Sequence, residues 1–265
     1  MIAMKINRVG EVGYNKFGAK MIIINQYLQY DENFNRNYTY IDIYFPQYNW
    51  TFYKSKYSNF KNGSIRCPYE PRVYKIGYLG EGKYKTKEDD NKKHTKEHRL
   101  WIDMLRRCYD KNFQEKEPSY KDVTVCEEWL CYQNFAKWYE ENYYEVENEE
   151  MELDKDILIK GNKIYSPSTC IFVPKGINCL FTNRKNNRGD LPIGVNKQGD
   201  KFRSSCCNGR NKRVVLGTFD DKHNAFLMYK INKELVIESM ANKYKNKIPI
   251  KLYISMLNYK IEEYD

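Results

Sequence analysis

Three short runs of strand-forming residues in the last third of the chain constrain its fold most strongly. They cover residues 193–195, 202–207 and 214–219 and are separated by a Gly-Asp and an Asn-Gly pair. This spacing is typical of a three-stranded antiparallel sheet. A helical pattern follows over about 221–244, so the sequence predicts a sheet packed on one helix. The apolar side of that helix is predicted to consist of Ala225, Met228, Tyr229, Leu235, Val236 and Met240.

Strand alternation predicts that one face of this sheet is basic. Phe202, Ser204 and Cys206 would pack on the helix, as would Val214 and Leu216, leaving the alternate residues outward. The acids of this sheet are limited to one turn residue, Asp200, so the outward face favours a polyanion such as duplex DNA. The residues expected to contact nucleic acid are Lys197, Lys201, Arg203, Ser205, Arg210, Lys212, Arg213 and Val215.

Residues 190–245 carry the segments IGV, DKF and RVVLGTF before an alanine-containing helix. In this order they resemble the plant ethylene-response-factor (apetala-two) DNA-binding domain. The resemblance implies a sheet that reads the major groove through outward side chains. Val215 stands where that family usually has tryptophan, and Ser205 where it usually has glutamate. Base preference is therefore not implied.

The rest of the chain predicts an α+β protein with three further segments. Residues 1–76 show short alternating runs typical of a small β-rich module, and residues 77–96 are charged, contain glycines and are predicted to be a linker. Residues 97–185 form an α+β unit, and the sheet-and-helix domain covers 186–265. The first helix of the α+β unit is predicted to start after an N-cap at Thr95. Its buried face would contain Trp101, Met104, Leu105 and Cys108. A second helix is predicted over about 127–142, a short strand over 123–125, and a strand, glycine turn and strand over 151–174.

Residues 100–194 resemble phage homing endonucleases of the HNH (His-Me finger) type that carry such a DNA-binding domain. The matching segments are MLRRCYD, VTVCEEW, NFAKW, LDKDI and GNKIYSPSTCIFVP. The resemblance implies a hairpin-plus-helix site that holds one divalent metal ion, Mg²⁺ or Mn²⁺, beside a histidine that activates water.

The segment corresponding to that site departs from the family. It contains no histidine, and Thr169 stands where the family often has a metal-binding asparagine. The remaining candidates for catalysis are Asp154, Lys155 and Asp156, with Asp154 and Asn162 as candidate metal ligands. Two hypotheses stay open: a degenerate site that only closes a hairpin, and a working nuclease.

Two further features are better explained without a site. His94 and His98 are four residues apart, as in some metal sites, but no glutamate follows His94, so we expect a solvated, lysine-rich helix start. The eight cysteines show no CxxC pair, which argues against a zinc ribbon and favours thiols packed as small hydrophobic groups.

The net charge of +10 favours polyanionic partners. No segment is apolar enough over about 18 residues to span a membrane, and the start lacks a signal-peptide pattern, so we expect a cytoplasmic protein without a membrane partner. If the chain comes from a phage, this is the cytoplasm of the bacterial host. The leading hypothesis is a double-stranded DNA-binding protein with a degenerate nuclease centre. The alternatives are an active metal-dependent endonuclease and a phage interaction protein that inhibits a host nuclease or an RNA-guided defence complex.

Overall fold

The computed structural model describes residues 6–32, 35–89, 93–181, 189–207, 213–263 and 265. Helices and sheets are both present, which confirms the α+β class. The chain forms two compact units. Unit 1 contains residues 1–118 and 127–137, and unit 2 contains residues 119–126 and 138–265.

The β-rich part of unit 1 is one antiparallel sheet of four strands in sequence order. Its strands are β1 (Val12–Tyr14), β2 (Lys20–Asp31), β3 (Arg36–Phe45) and β4 (Trp50–Lys56), followed by the short helix α1 (Tyr57–Lys61). Alternate apolar residues of β2 and β3, among them Met21, Ile23, Ile41 and Ile43, are fully buried on one face. The other face of the sheet is therefore left for polar and aromatic side chains.

The remaining helices that begin in unit 1 largely follow the predicted pattern. They are α2 (Lys96–Tyr109), α3 (Lys111–Lys116), α4 (Glu127–Leu130) and α5 (Tyr132–Asn142), and α5 runs across the division between the units. Thr95 caps α2 by accepting a hydrogen bond from the backbone N–H of His98, as predicted. The four apolar residues predicted for its inner face are all buried.

The helix predicted over 127–142 is interrupted at Cys131. The backbone N–H of Tyr78 donates to Leu130 O, and the N–H of Tyr132 donates to Tyr78 O, both at 2.9 Å. These bonds use backbone groups that a continuous helix would need for its own ladder. The break therefore comes from a partner about 50 residues away, which local periodicity does not indicate.

The segment predicted as a linker, 77–96, is packed against the helices of unit 1. A Cβ on Gly77 would lie 2.4 Å from Leu105 Cδ1, so this residue must be glycine for the chain to approach α2. The side-chain amide of Gln133 brackets Tyr84, accepting from its N–H at 3.0 Å and donating to its carbonyl at 2.9 Å. This part of the segment is therefore packed on the helices, which its glycines and charged residues did not indicate.

The described part of unit 2 contains three small sheets. Its strands are β5 (Thr124–Val125), β6 (Met151–Asp154), β7 (Ile164–Tyr165), β8 (Ile171–Pro174), β9 (Val195–Gln198), β10 (Lys201–Cys207) and β11 (Arg213–Phe219). Its helices after α5 are α6 (Lys175–Phe181), α7 (Lys222–Tyr244) and α8 (Ile250–Asn258). β6 pairs antiparallel with β8, and the intervening β7 pairs parallel with β5, so the predicted two-stranded hairpin is replaced by a long loop between paired strands. The C-terminal sheet has the order β11-β10-β9 and is antiparallel, as predicted.

One core joins the two parts of unit 2 on either side of the predicted boundary at 185/186. Ile171 and Val173 of β8 share this core with Cys206 of β10 and with Ala225 and Ile237 of α7. The structure therefore does not divide unit 2 into two separately packed domains.

Helix α7 matches its predicted extent but not all of its predicted face. Asp221 caps it by accepting from Asn224 N at 2.9 Å. Ala225 and Tyr229 are buried as predicted, whereas Leu235 is exposed and Lys233 is buried. The buried stripe follows residues four apart, through 225, 229, 233, 237 and 241, and Leu235 lies off that ridge.

Among the helices of the described part of the chain, none is both long and apolar enough to cross a membrane. None of the eight cysteines, all of which are described, forms a disulfide.

Candidate nucleic-acid interface and loop cleft

The strand register defines which side chains share the outer face of the C-terminal sheet, the face turned away from α7. Lys201 lies opposite Gln198, and Arg203 lies opposite Asn196 on one side and Thr218 on the other. Phe202, Ser204 and Cys206 lie on the helix side, with Ser204 and Cys206 buried, as predicted. Lys201 and Arg203 are exposed, so the outer face carries cations flanked by small polar groups.

An acid that the sequence interpretation did not place on this face lies at its edge. The Lys201 ammonium forms an ion pair of 3.0 Å with Asp220, the residue directly after β11. Both side chains are more than half exposed, so the pair contributes little to stability and can open for a phosphate.

Ser205 does not offer its hydroxyl to a ligand. It is only 3% exposed, and its Oγ accepts a hydrogen bond of 2.9 Å from Nε of Arg213. The register shift between Ser204 and Ser205 brings Ser205 opposite Val215, which places Arg213 two residues along the same face. Ser205 is therefore buried beneath the outer face, and its hydroxyl oxygen holds the Arg213 side chain by this hydrogen bond.

The other predicted contact residues have different outcomes. Lys197 lies opposite Phe202, which puts it on the helix side of the sheet rather than on the outer face. Val215 is exposed on the outer face, as predicted, but Val214 keeps 43% exposure although its partner Cys206 is buried. Arg210 and Lys212 lie outside the described residues.

A glycine allows the sheet to pack closely on α7. Gly194, at φ +78°, lies against the ring of Tyr229, and a Cβ there would come within 2.0 Å of that ring. Its carbonyl accepts from Ser205 N at 3.0 Å, so this glycine also extends the pairing of β10. The position of Gly194 in the IGV segment therefore has no room for any side chain.

The second candidate site lies in the loop that follows β6. Oδ1 of Asp154 accepts hydrogen bonds from the backbone N–H groups of Asp156, at 2.8 Å, and Ile157, at 2.7 Å. Burial raises the pKa of Asp154, and the two N–H donors act in the opposite direction. One oxygen of this carboxylate is therefore committed to closing a turn.

The residues that follow Asp154 also form hydrogen bonds and an ion pair with one another. Nζ of the buried Lys155 lies 2.8 and 2.7 Å from the two carboxylate oxygens of Asp156 and donates to Asn162 O at 3.2 Å. The Asn162 side chain donates to Lys155 O and Ile164 O and accepts from Ile164 N. Thr169, in turn, donates to Ile164 O at 2.7 Å. The predicted site residues do come together, but as a closed hydrogen-bonded loop.

Asp154, Lys155, Asp156 and Asn162 border an open cleft of about 560 Å³. A third carboxylate in its lining, that of Asp265, is paired with Lys160 at 2.7 Å. Over the described residues, no three His, Cys, Asp or Glu side chains are arranged to hold a metal ion. The donor set does not fit a catalytic Mg²⁺ or Mn²⁺, because Asn162 and one oxygen of Asp154 bind backbone and the other two carboxylates face lysines.

The two histidines of the α2 start are brought together, although no metal site was expected there. His98 is buried, and its Nδ1 lies 2.9 Å from Nδ1 of His94. The expectation of a solvated helix start is therefore wrong for His98, which lies against the rings of Trp101 and Tyr132. Its position one turn before Trp101 on the buried stripe is the sequence signal that could have indicated this.

Comparisons with protein-family models, with curated proteins and with solved structures found no match to this chain.

Proposed function

We propose that this protein binds double-stranded DNA through the outer face of its C-terminal sheet. The observation that carries the proposal is the pair of arginines on that face: Arg203 is exposed among small polar neighbours, and Arg213 is aimed by Ser205. Arginine held in a fixed direction is well suited to the two acceptors of a guanine edge. The resemblance to apetala-two domains supports the same use of the sheet.

Each outer-face residue has a distinct part in this proposal. Arg203 and Arg213 reach base edges in the major groove, and Lys201 exchanges Asp220 for a phosphate. Val215 offers an exposed apolar surface to a thymine methyl group. Arg210 and Lys212, which follow β10 in the sequence, add phosphate contacts.

The likeness of the middle region to phage homing endonucleases gives the wider setting. We propose a protein derived from such an enzyme, acting on DNA in the cytoplasm of a bacterial host, with a nuclease centre that has lost its catalytic function. The closed loop around Asp154 supports the degenerate hypothesis over the active one.

Duplex binding by the full chain is expected to fall steeply with salt. With three cations contacting phosphates, namely Lys201, Arg210 and Lys212, the logarithm of the binding constant should fall with the logarithm of salt concentration at a slope of about −2.7 or steeper. This corresponds to a loss of roughly 40-fold between 50 and 200 mM salt. Fluorescence anisotropy with a labelled duplex measures the slope. Binding that is absent at low salt, or unchanged by salt, would contradict the proposal.

Arg203→Ala and Arg213→Ala should each cost about 1 to 3 kcal/mol of binding to a selected duplex and relax preference at one base position. Ser205→Ala should cost less and affect the same position as Arg213→Ala, because it releases that guanidinium without removing it. The measurement is selection from a randomised duplex library, followed by anisotropy on the selected sequence.

The control for these variants is Arg99→Ala, which removes an exposed arginine of α2. Lys212→Ala should weaken selected and random duplexes alike, as expected of a phosphate contact. Equal losses on selected and random duplexes for Arg203→Ala and Arg213→Ala would mean that the sheet reads no bases.

A further inference from the structure

The sheet of unit 1 presents an aromatic face on the side opposite its core. Strand pairing places Tyr27 opposite Tyr40, and Tyr44 opposite Ile22, on the face that Met21 and Ile43 do not occupy. We call this side the aromatic face. Its tyrosines are Tyr14, Tyr27, Tyr38, Tyr40, Tyr44 and Tyr53.

The rings of this face are accessible. Tyr14 and Tyr53 are 63% and 70% exposed, and the other four are partly exposed. Tyr27 and Tyr40 stack on each other, with ring centroids 6.2 Å apart and planes 22° apart. Exposed rings such as those of Tyr14 and Tyr53 offer π surfaces on which further planar groups can stack.

Cations lie among these rings. Nζ of Lys56 is 4.2 Å from the centroid of Tyr38, and Cζ of Arg36 is 4.5 Å from the same centroid. Nζ of Lys54 is 5.8 Å from the centroid of Tyr40. Basic groups interspersed with rings can meet phosphates while the exposed rings meet bases.

The carboxylate of Asp42, in the middle of the face, is not exposed to solvent. Asp42 is buried, and its carboxylate accepts from Asn25 Nδ2 and from Lys54 N, both at 3.0 Å. The hydroxyl of Tyr27 also points to it, at 3.4 Å. The described surface of the aromatic face therefore combines rings with positive charge, which complements an anionic chain that carries planar groups.

We infer that the aromatic face binds single-stranded DNA, with bases stacked on its tyrosines and phosphates held by Lys54, Lys56 and Arg36. A duplex does not fit this surface, because its bases are stacked on one another and do not offer their faces to protein rings. The choice of DNA over RNA rests on the proposed function, which places the chain on DNA. The site itself lies in unit 1 and is independent of the C-terminal sheet.

The test uses the full chain and fluorescence anisotropy with a labelled oligonucleotide of fifteen thymidines. Tyr53→Ala and Tyr14→Ala should each weaken binding roughly 5- to 100-fold, the loss expected when one stacked base loses its ring. The matched control is Tyr30→Ala, which removes a 52% exposed tyrosine from the opposite face of β2. It should leave binding unchanged.

Further arms separate the possible explanations. An abasic oligonucleotide of the same length should bind at least 5-fold more weakly than the thymidine oligonucleotide, since it retains phosphates but offers nothing to stack. Equal binding of the two, or equal losses for Tyr53→Ala and Tyr30→Ala, would overturn the inference. Tighter binding of the matching uridine oligonucleotide would overturn the choice of DNA. If neither the thymidine nor the uridine oligonucleotide bound, the whole inference would be overturned, and a protein partner would be favoured for this face.

Failure of this inference is distinguishable from failure of the proposed function. Tyr53→Ala should leave binding to a duplex unchanged, and Arg203→Ala should leave binding to the thymidine oligonucleotide unchanged. If either variant weakened binding to both the duplex and the thymidine oligonucleotide, the two surfaces would not act independently.

Discussion

Supercoiled plasmid incubated with this protein in Mg²⁺ is expected to remain supercoiled over several hours, with at most slow nicking in Mn²⁺. General-base catalysis contributes about 10² to 10⁴ in rate, and the sequence from Asp154 to Cys170 has no histidine to provide it. The cleft lining gives no substitute among the described residues, because the Lys155 ammonium is bound by Asp156 and Asn162.

The second reason for expecting no cleavage is that the carboxylates of Asp154 and Asp156 already have partners within the protein. A Mg²⁺ ion requires several oxygen ligands in near-octahedral geometry, and Asp154 has already committed one oxygen to two backbone N–H groups. Recruiting Asp156 would strip the buried Lys155 of its partner, which costs several kcal/mol for an unpaired buried charge. A metal ion could therefore bind here only after some of these hydrogen bonds and ion pairs had been broken.

Asp154→Asn is the variant that separates folding from catalysis. The amide oxygen can still accept from Asp156 N and Ile157 N, so the turn should be retained while the charge is lost. Robust cutting by the natural chain that is abolished in Asp154→Asn, with unchanged unfolding behaviour, would show that the degenerate hypothesis is wrong. Asp265→Asn, which alters a carboxylate elsewhere in the same cleft, is the comparison.

Local sequence signals predicted the elements of this fold well where the partner of each residue is nearby. The cap at Thr95 and the stripe through Trp101 and Leu105 depend on spacings of three and four residues, and the structure contains them. The three strands of the C-terminal sheet were likewise marked by short turns.

Where the deciding partner is distant, the sequence signal failed. The break at Cys131 depends on Tyr78, and the burial of Ser205 depends on a register shift against β11 that brings Arg213 over it. Asp154, Lys155, Asp156 and Asn162, which the sequence brings close together, do line one cleft. Their mutual hydrogen bonds, which decide between a metal site and a closed turn, required the fold of the loop.

A buried histidine was also missed, and it makes the stability of unit 1 depend on pH. Burial, with a smaller contribution from the neighbouring charge of His94, lowers the pKa of His98 from 6.5 to about 4. In the unfolded chain the His98 imidazole becomes protonated near pH 6.5, whereas in the folded chain it becomes protonated only near pH 4. Between these values the unfolded state binds more protons, so the free energy of unfolding falls as the pH falls.

The expected loss from His98 alone is about 2.5 kcal/mol between pH 7.5 and 4.5, because each unit of pKa difference corresponds to 1.36 kcal/mol. Urea unfolding followed by tryptophan fluorescence measures it, and it reports mainly on unit 1, which contains Trp50, Trp101 and Trp129. Carboxylates also titrate in this range, so the quantity to compare is the pH-dependent loss in the natural chain against that in a variant.

His98→Gln removes the titrating group and should reduce the pH-dependent loss by about 2.5 kcal/mol, whatever its effect on stability at pH 7.5. His223→Gln is the control, since that imidazole is more than half exposed and lies in unit 2. If the natural chain and His98→Gln lost the same stability on acidification, His98 would have to take up its proton in the folded state near pH 6.5. That would require the ring to leave its position between Trp101 and Tyr132, because a charged imidazole enclosed by those rings has no solvent to stabilise it.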